Sequence, residues 1–195
     1  AHGYATGVFS ANPFVSPLFG FAQGVDQFHH KGVSVVRQLV LGQILRSLRP
    51  YSSVVSKLYS ALEDLRFPFR LAPGGRIPAS ELNALFTDWV RALGARRFFA
   101  YLHYMEPHAP YSAPSPFNRR FDPDHPLPYH RRHPHYEGFL PFQRGTPLPP
   151  RARDNLIAQY DGEIAYVDEV LGELFQTLRQ LGLYDQTLII VTADH

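Results

Sequence analysis

The chain contains no cysteine, and this absence excludes three kinds of chemistry. Its 195 residues hold no disulfide framework, no thiolate metal site and no cysteine nucleophile. Lysine is also scarce, because only Lys31 and Lys57 among the 19 lysine and arginine residues are lysines. The others are arginines, whose planar guanidinium groups suit carboxylate, phosphate or sulfate oxygens.

The sequence also has no long apolar run and no strong net charge. No stretch is long and apolar enough to span a bilayer, so the sequence predicts no membrane segment. The formal net charge is +2 at pH 7, which argues against a dedicated nucleic-acid binder. Apolar residues make up 45% of the chain, as expected of a globular protein, and a chain of this length most simply forms one domain.

The two ends of the sequence indicate an internal part of a longer protein. The chain begins Ala1-His2-Gly3 without an initiator methionine, and Met105 is its one methionine. It stops at Asp194-His195, directly after an apolar run. We therefore expect residues 1–195 to be a fragment of one domain that lacks sequence on both sides, in which no signal peptide can be sought.

Hydrophobic periodicity predicts an α/β sandwich, with a mainly parallel sheet flanked by helices. Strands are predicted at 4–9, 25–28, 98–104 and 188–192, and helices at 34–48, 52–65, 80–95 and 151–181. Ser80 is the expected N-cap of the third helix, and Gly182 is expected to end the fourth. One apolar stripe of the fourth helix is expected to face the core: Leu156, Tyr160, Ile164, Val167, Leu171, Leu174, Leu178 and Leu181.

The last predicted strand is followed by two candidate metal ligands. The run Leu188–Thr192 has no polar alternation, which is typical of a parallel strand buried on both faces. Ligands of open parallel sheets bind beyond the carboxyl ends of the strands. Asp194 and His195 stand there, one an oxygen donor and the other a nitrogen donor for a divalent cation. The alternative is that Asp194 caps the next helix and that His195 lies in a turn, with no metal bound.

A second group of polar side chains follows the predicted strand at 98–104. His103 ends that strand, and Glu106 and His108 come directly after it. If the two strands are parallel neighbours, both groups lie at one edge of the sheet. A cation beside an imidazole that contacts an anionic substrate would fit there.

The stretch from 112 to 150 is predicted to be an irregular excursion rich in proline, arginine and histidine. Structureless connections of this length are uncommon in compact domains and are often functional. The alternative is a solvated insertion. Its histidines have irregular spacing and no cysteine beside them, so a zinc site is not expected there: His125, His130, His133 and His135.

Several segments resemble, in the same order, the sulfatase family of the alkaline-phosphatase superfamily. They are Gly3-Tyr-Ala-Thr6 with Phe19-Gly-Phe21 and Gly24-Val-Asp26, then Phe98–Tyr111 with its Pro-His-x-Pro, Tyr160–Asp168, and Leu181–His195. The resemblance implies an alkaline-phosphatase-like fold and metal-dependent hydrolysis of small-molecule or glycan sulfate esters. It also implies a divalent cation, most often calcium, bound in part by Asp194 and His195. It further implies that His108 contacts the sulfate and serves as a catalytic residue.

The resemblance places other parts of the site outside residues 1–195. The formylglycine nucleophile, which is serine or threonine in relatives, and an early pair of aspartates would precede Ala1. We therefore expect the fragment to be inactive alone. The Lys-x-His pair of many sulfatases has no match between Gly3 and Asp26.

Three other functions stay open on the same scaffold: a phosphodiesterase, a phosphonate hydrolase and a phosphoethanolamine transferase. A non-catalytic domain that binds acidic glycans is a further alternative. The sequence leaves the compartment open, and the family is compatible with a periplasmic or exported location.

Overall fold

A computed structural model describes residues 3–12, 14–30, 77–109, 111–124 and 149–193. The chain divides into two compact units, Ala1–Met105 and Glu106–His195, which are described separately. The helices predicted at 34–48 and 52–65 lie outside the described residues, as does most of the 112–150 excursion. Within the described ranges, no helix combines the length and the apolar character that a membrane crossing requires.

The first unit is built on a parallel three-stranded sheet. Its strands are β1 (Ala5–Ser10), β2 (Gln27–His30) and β3 (Phe98–His103), in the order β2-β1-β3. The three strands predicted in this part of the chain are confirmed, with ends that shift by one or two residues. Ser10 is level with both His30 and His103 in the register, so all three strands end at one edge of the sheet.

One face of this sheet is covered by α1 (Ala79–Leu93). The rings of Phe86 and Trp89 meet the ring of Phe9 edge-on, with centroids 5.7 and 5.6 Å away. The close approach depends on Gly7, because a Cβ there would lie 2.9 Å from Trp89.

The helix begins one residue before the predicted N-cap, so that prediction for Ser80 is wrong. Its N-cap is Pro78, which has extended backbone angles and makes no side-chain capping bond. Proline is tolerated at a helix start because its nitrogen has no hydrogen to leave unpaired.

The second unit is built on α2 (Pro150–Gln180), which confirms the long helix predicted at 151–181. The helix ends in a Schellman motif, which is a pair of backbone hydrogen bonds that closes the last turn. The Leu183 N–H donates to Leu178 O at 2.9 Å, and the Gly182 N–H donates to Arg179 O at 3.0 Å. Gly182 has a φ of +70°, the left-handed conformation that glycine adopts without a Cβ penalty. The predicted role of Gly182 is confirmed.

The buried face of α2 differs from the predicted apolar stripe. Of that stripe only Leu174 and Leu178 are buried, whereas Tyr160 and Ile164 are exposed. In the first half of the helix the buried face carries a polar row, which consists of Asn155, Gln159 and Glu163, each 1% exposed.

Hydrogen bonds explain why these polar side chains are buried. A polar group loses little on burial when a protein partner replaces water. Each member of the polar row meets a partner from residues 111–124, as follows: Asn155 Nδ2 donates to Asp122 Oδ2 (2.8 Å), Gln159 Nε2 donates to Asn118 O (3.3 Å), and Glu163 Oε1 accepts from the Ser112 N–H (2.5 Å).

The apolar run at the end of the chain is not a strand. Residues 188–193 have no regular secondary structure, and Leu188 and Ile190 are 87% and 77% exposed. The prediction of a buried parallel strand at 188–192 is therefore wrong for this structure. A strand requires a neighbour for its backbone hydrogen bonds, and the described residues of the second unit form no strand.

Two glycines of α2 provide a matched test of how closely residues 111–118 approach the helix. A Cβ at Gly162 would lie 2.7 Å from the Phe117 carbonyl oxygen, whereas a Cβ at Gly172 would meet nothing within 4 Å. We expect Gly162→Ala to lower the free energy of unfolding by about 1–3 kcal/mol, because the backbone must shift. Gly172→Ala should raise it by about 0.5–1 kcal/mol. Urea unfolding measures both, and equal stabilisation by the two substitutions would contradict the close approach.

Candidate functional site

The structure describes one of the three residues predicted to form the site. That residue is His108, in the second unit. Asp194 and His195 lie outside the described residues, so their role as metal ligands stays a prediction. Among the residues that the structure does describe, no group of three or more histidine, aspartate or glutamate side chains could hold a metal ion.

The imidazole of His108 is exposed, and its Nδ1 contacts the adjacent backbone. Its Nδ1 lies 2.5 Å from the carbonyl oxygen of Ala109. A carbonyl oxygen only accepts, so Nδ1 donates and carries the proton of the neutral ring. Nε2 is then the basic nitrogen. The ring is therefore oriented by its own backbone, with Nε2 as the atom that can gain or give a proton.

Glu106 stands two residues before His108. One of its carboxylate oxygens, Oε2, is buried and has no hydrogen bond from the described residues. A buried carboxylate oxygen that accepts no hydrogen bond from the described residues suits a water or a cation. The buried acids Asp122 and Glu163 differ, because both accept hydrogen bonds.

His103 makes hydrogen bonds within the first unit, at the end of β3. Its Nδ1 lies 3.0 Å from the Tyr101 hydroxyl, and its Nε2 lies 3.5 Å from the side-chain nitrogen of Asn12. An amide nitrogen only donates, so Nε2 accepts and Nδ1 donates to the tyrosine. His103 therefore ties the end of β3 to the loop after β1.

The chain that follows His108 is fastened to α2 at Tyr111 and Ser112. The rings of Tyr111 and Tyr160 pack edge-on with centroids 5.7 Å apart. Burial raises the pKa of the Tyr111 hydroxyl, and the nearby charges of Tyr160 and Glu163 raise it further. The raised pKa keeps the Tyr111 hydroxyl protonated at neutral pH, and its ring packs against Tyr160.

Sequence reasoning did not assign a role to Glu163. Apolar periodicity placed Ile164 in the core instead, and Ile164 is 44% exposed in the structure. The one signal that pointed to this position was its place inside the Tyr160–Asp168 segment, on which part of the family resemblance rests.

Comparisons with known proteins agree with that resemblance. The sequence model of the Sulfatase family matches residues 2–195. A curated relative, the multifunctional alkaline phosphatase superfamily protein PehA of Trinickia caryophylli, is 30% identical over 139 residues. That alignment covers 58% of this chain but only 27% of the relative. No solved structure matches the chain.

Proposed function

The chain belongs to the sulfatase family, and on this premise we propose that it forms part of the catalytic domain of a metal-dependent sulfate ester hydrolase. The observation that carries the proposal is the family match over residues 2–195. The parallel sheet with a helix packed on one face is consistent with an alkaline-phosphatase-like α/β fold. Membership of this superfamily supports hydrolase chemistry, and sulfate is the more specific part of the proposal. The substrate would be a small-molecule or glycan sulfate ester, with no nucleic acid as partner.

His108 is the described residue to which we assign a catalytic role. The Nδ1 bond to Ala109 supports this assignment, because it leaves the proton of the neutral ring on Nδ1, and we assign the reaction to Nε2. As a nucleophile bonds to sulfur and the S–O bond to the alcohol breaks, the Nε2 N–H of the protonated ring donates to a sulfuryl oxygen or passes its proton to the departing alcohol oxygen. When the proton is transferred, the alcohol leaves neutral and the ring becomes neutral. Such a positioned group contributes about 10²–10⁴-fold to a rate.

Asp194 and His195 are the residues that we assign to a divalent cation. A carboxylate and an imidazole fit such an ion, but two donors fill only part of its shell. If bound there, such an ion would supply Lewis-acid stabilisation of charge on the ester oxygens. The family favours calcium, whereas an imidazole ligand favours transition ions over calcium. Elemental analysis of the purified protein therefore decides the identity of the cation.

A phosphoryl or phosphonyl hydrolase is the second candidate function. It is favoured by the relative, whose name describes a multifunctional member of the alkaline phosphatase superfamily. The missing Lys-x-His pair between Gly3 and Asp26 points the same way.

Substrates with one shared leaving group separate these candidates. We expect the whole protein to hydrolyse p-nitrophenyl sulfate with a kcat/KM at least about tenfold above those for p-nitrophenyl phosphate, bis-p-nitrophenyl phosphate and p-nitrophenyl phenylphosphonate. Tenfold corresponds to about 1.4 kcal/mol of transition-state preference. A phosphorus ester as the best substrate would replace the sulfatase proposal by the second candidate. Hydrolysis of none of them, together with binding to an acidic glycan, would favour a non-catalytic domain.

A further inference from the structure

Glu163 is the most deeply buried acidic side chain among the described residues, at 1% exposure. A buried carboxylate is costly unless hydrogen bonds replace its hydration. Its Oε1 accepts the backbone N–H of Ser112 at 2.5 Å, and the two residues are 51 positions apart in the chain. Hydrogen bonds to an ionised group are the stronger ones in proteins, so this contact is well suited to fix a loop.

Neighbouring contacts hold the same loop against the same helix. Tyr160 packs on Tyr111, and Gln159 donates to the Asn118 carbonyl oxygen. Gly162 allows the Phe117 backbone to approach closely, since a Cβ there would collide with it. The stretch from 111 to 118 therefore packs along one face of α2, and Glu163 is the residue of that face that accepts a hydrogen bond from the backbone of Ser112.

Resting on the proposed function, we propose that Glu163 is a positioning residue for the imidazole of His108. Ser112 follows His108 by four residues, and four residues of chain span at most about 14 Å. When Glu163 holds the Ser112 N–H, it limits the positions that His108 can occupy relative to α2. The Nδ1 bond to Ala109 then sets the rotation of the ring. The Glu163–Ser112 contact thus limits the position of the His108 backbone, and the His108–Ala109 contact sets the direction of Nε2.

A positioning role differs from a merely structural one in its coupling to His108. If Glu163 acts through His108, its removal matters only while the imidazole is present. Residues that act as a unit are strongly non-additive in kinetics. If Glu163 only stabilises the fold, its replacement lowers the stability of the protein, and its effect on kcat does not depend on whether His108 is present.

The experiment combines kinetics on the best ester with amide hydrogen exchange, in the whole protein. The variants are Glu163→Ala, Glu163→Gln, His108→Ala and the double variant of Glu163→Ala with His108→Ala. The control is Asn155→Ala, which removes an equally buried member of the polar row that binds Asp122 rather than Ser112.

We expect Glu163→Ala to lower kcat about 10–100-fold at unchanged metal content, because small misplacements of catalytic groups cost up to about that much. Glu163→Gln should keep kcat within about threefold, since its amide oxygen still accepts the Ser112 N–H. The double variant should be no slower than His108→Ala alone. Exchange in the peptide that spans His108 and Ser112 should become at least about tenfold faster in Glu163→Ala and stay unchanged in Asn155→Ala.

Two results overturn the positioning role. One is a double variant whose loss equals the product of the two single losses. The other is unchanged exchange around Ser112 in Glu163→Ala, and this readout decides the inference whether or not the ester is a sulfate. A wild-type protein that hydrolyses no ester contradicts the proposed function instead, and the exchange result still tests the contact.

Discussion

Replacing Asp194 by alanine is expected to remove the bound cation and the hydrolytic activity of the whole protein together. The carboxylate would be one of the few protein donors to the ion, so its loss opens the coordination shell. A bound cation contributes several kcal/mol of charge stabilisation. Because about 1.4 kcal/mol is a tenfold change in rate, we expect kcat/KM to fall by about 10³-fold or more. Elemental analysis and steady-state kinetics on the same preparation measure both effects.

Asp154→Ala is the matched control for the loss of a carboxylate. Asp154 is exposed and pairs with Arg153 on the surface of α2, with a nitrogen–oxygen distance of 3.1 Å. Exposed pairs of this kind contribute little to stability, so metal content and activity should match the wild type. An Asp194→Ala protein that keeps its metal would show that Asp194 is not a ligand.

His108→Ala is expected to lower kcat by about 10²–10⁴-fold while metal content stays unchanged. The substitution removes the imidazole whose Nδ1 contacts the Ala109 carbonyl oxygen and to which we assign the substrate contact. The expected size is that of a positioned acid or oxyanion contact. Since the side chain is exposed, the melting temperature should change little.

His103→Ala is the matched imidazole substitution and should have the opposite signature. Its ring bonds to the Tyr101 hydroxyl and to Asn12 at the end of the sheet. Removal of the ring loses two hydrogen bonds that are only partly shielded from water, each of which is worth about 0.5–1.5 kcal/mol. The melting temperature should therefore fall, while kcat stays close to that of the wild type. A stable but inactive His103→Ala beside an active His108→Ala would reverse the assignment.

The elements that the sequence predicted correctly are those whose apolar residues all pack into one hydrophobic core. The strand Ala5–Ser10 and the helix Ala79–Leu93 bury apolar faces against each other, and period alone identifies such faces. The role of Gly182 could be predicted from its neighbours in the sequence, because helices commonly end in a residue with left-handed backbone angles, and that residue is usually glycine.

The polar row of α2 could not be predicted, because burial there depends on partners distant in sequence. Asn155 and Glu163 bind Asp122 and Ser112, which are 33 and 51 positions away. Nothing local marks a polar side chain as one that will meet such a partner. The strand at 188–192 failed for a related reason, since an apolar run predicts a strand only where a neighbouring strand is at hand.

In the candidate site too, some features follow from neighbouring residues in the sequence, and others depend on contacts with residues far along the chain. His108 follows a predicted strand directly in the sequence, and the adjacent Ala109 carbonyl orients its ring. The contact that holds Ser112 comes from a helix that lies beyond the whole 112–150 excursion. The roles of Asp194 and His195 rest on the family resemblance alone.

The central proposal is that the whole protein hydrolyses a sulfate ester with cleavage of the S–O bond, and isotope transfer from water tests it most directly. The whole protein is allowed to hydrolyse its best aryl sulfate in water enriched in oxygen-18, and both products are analysed by mass spectrometry. The account predicts that the heavy oxygen appears in the released sulfate and that the phenol carries none. Label in the phenol would show cleavage at carbon, and an absence of any hydrolysis would exclude the hydrolase; either result would contradict the account.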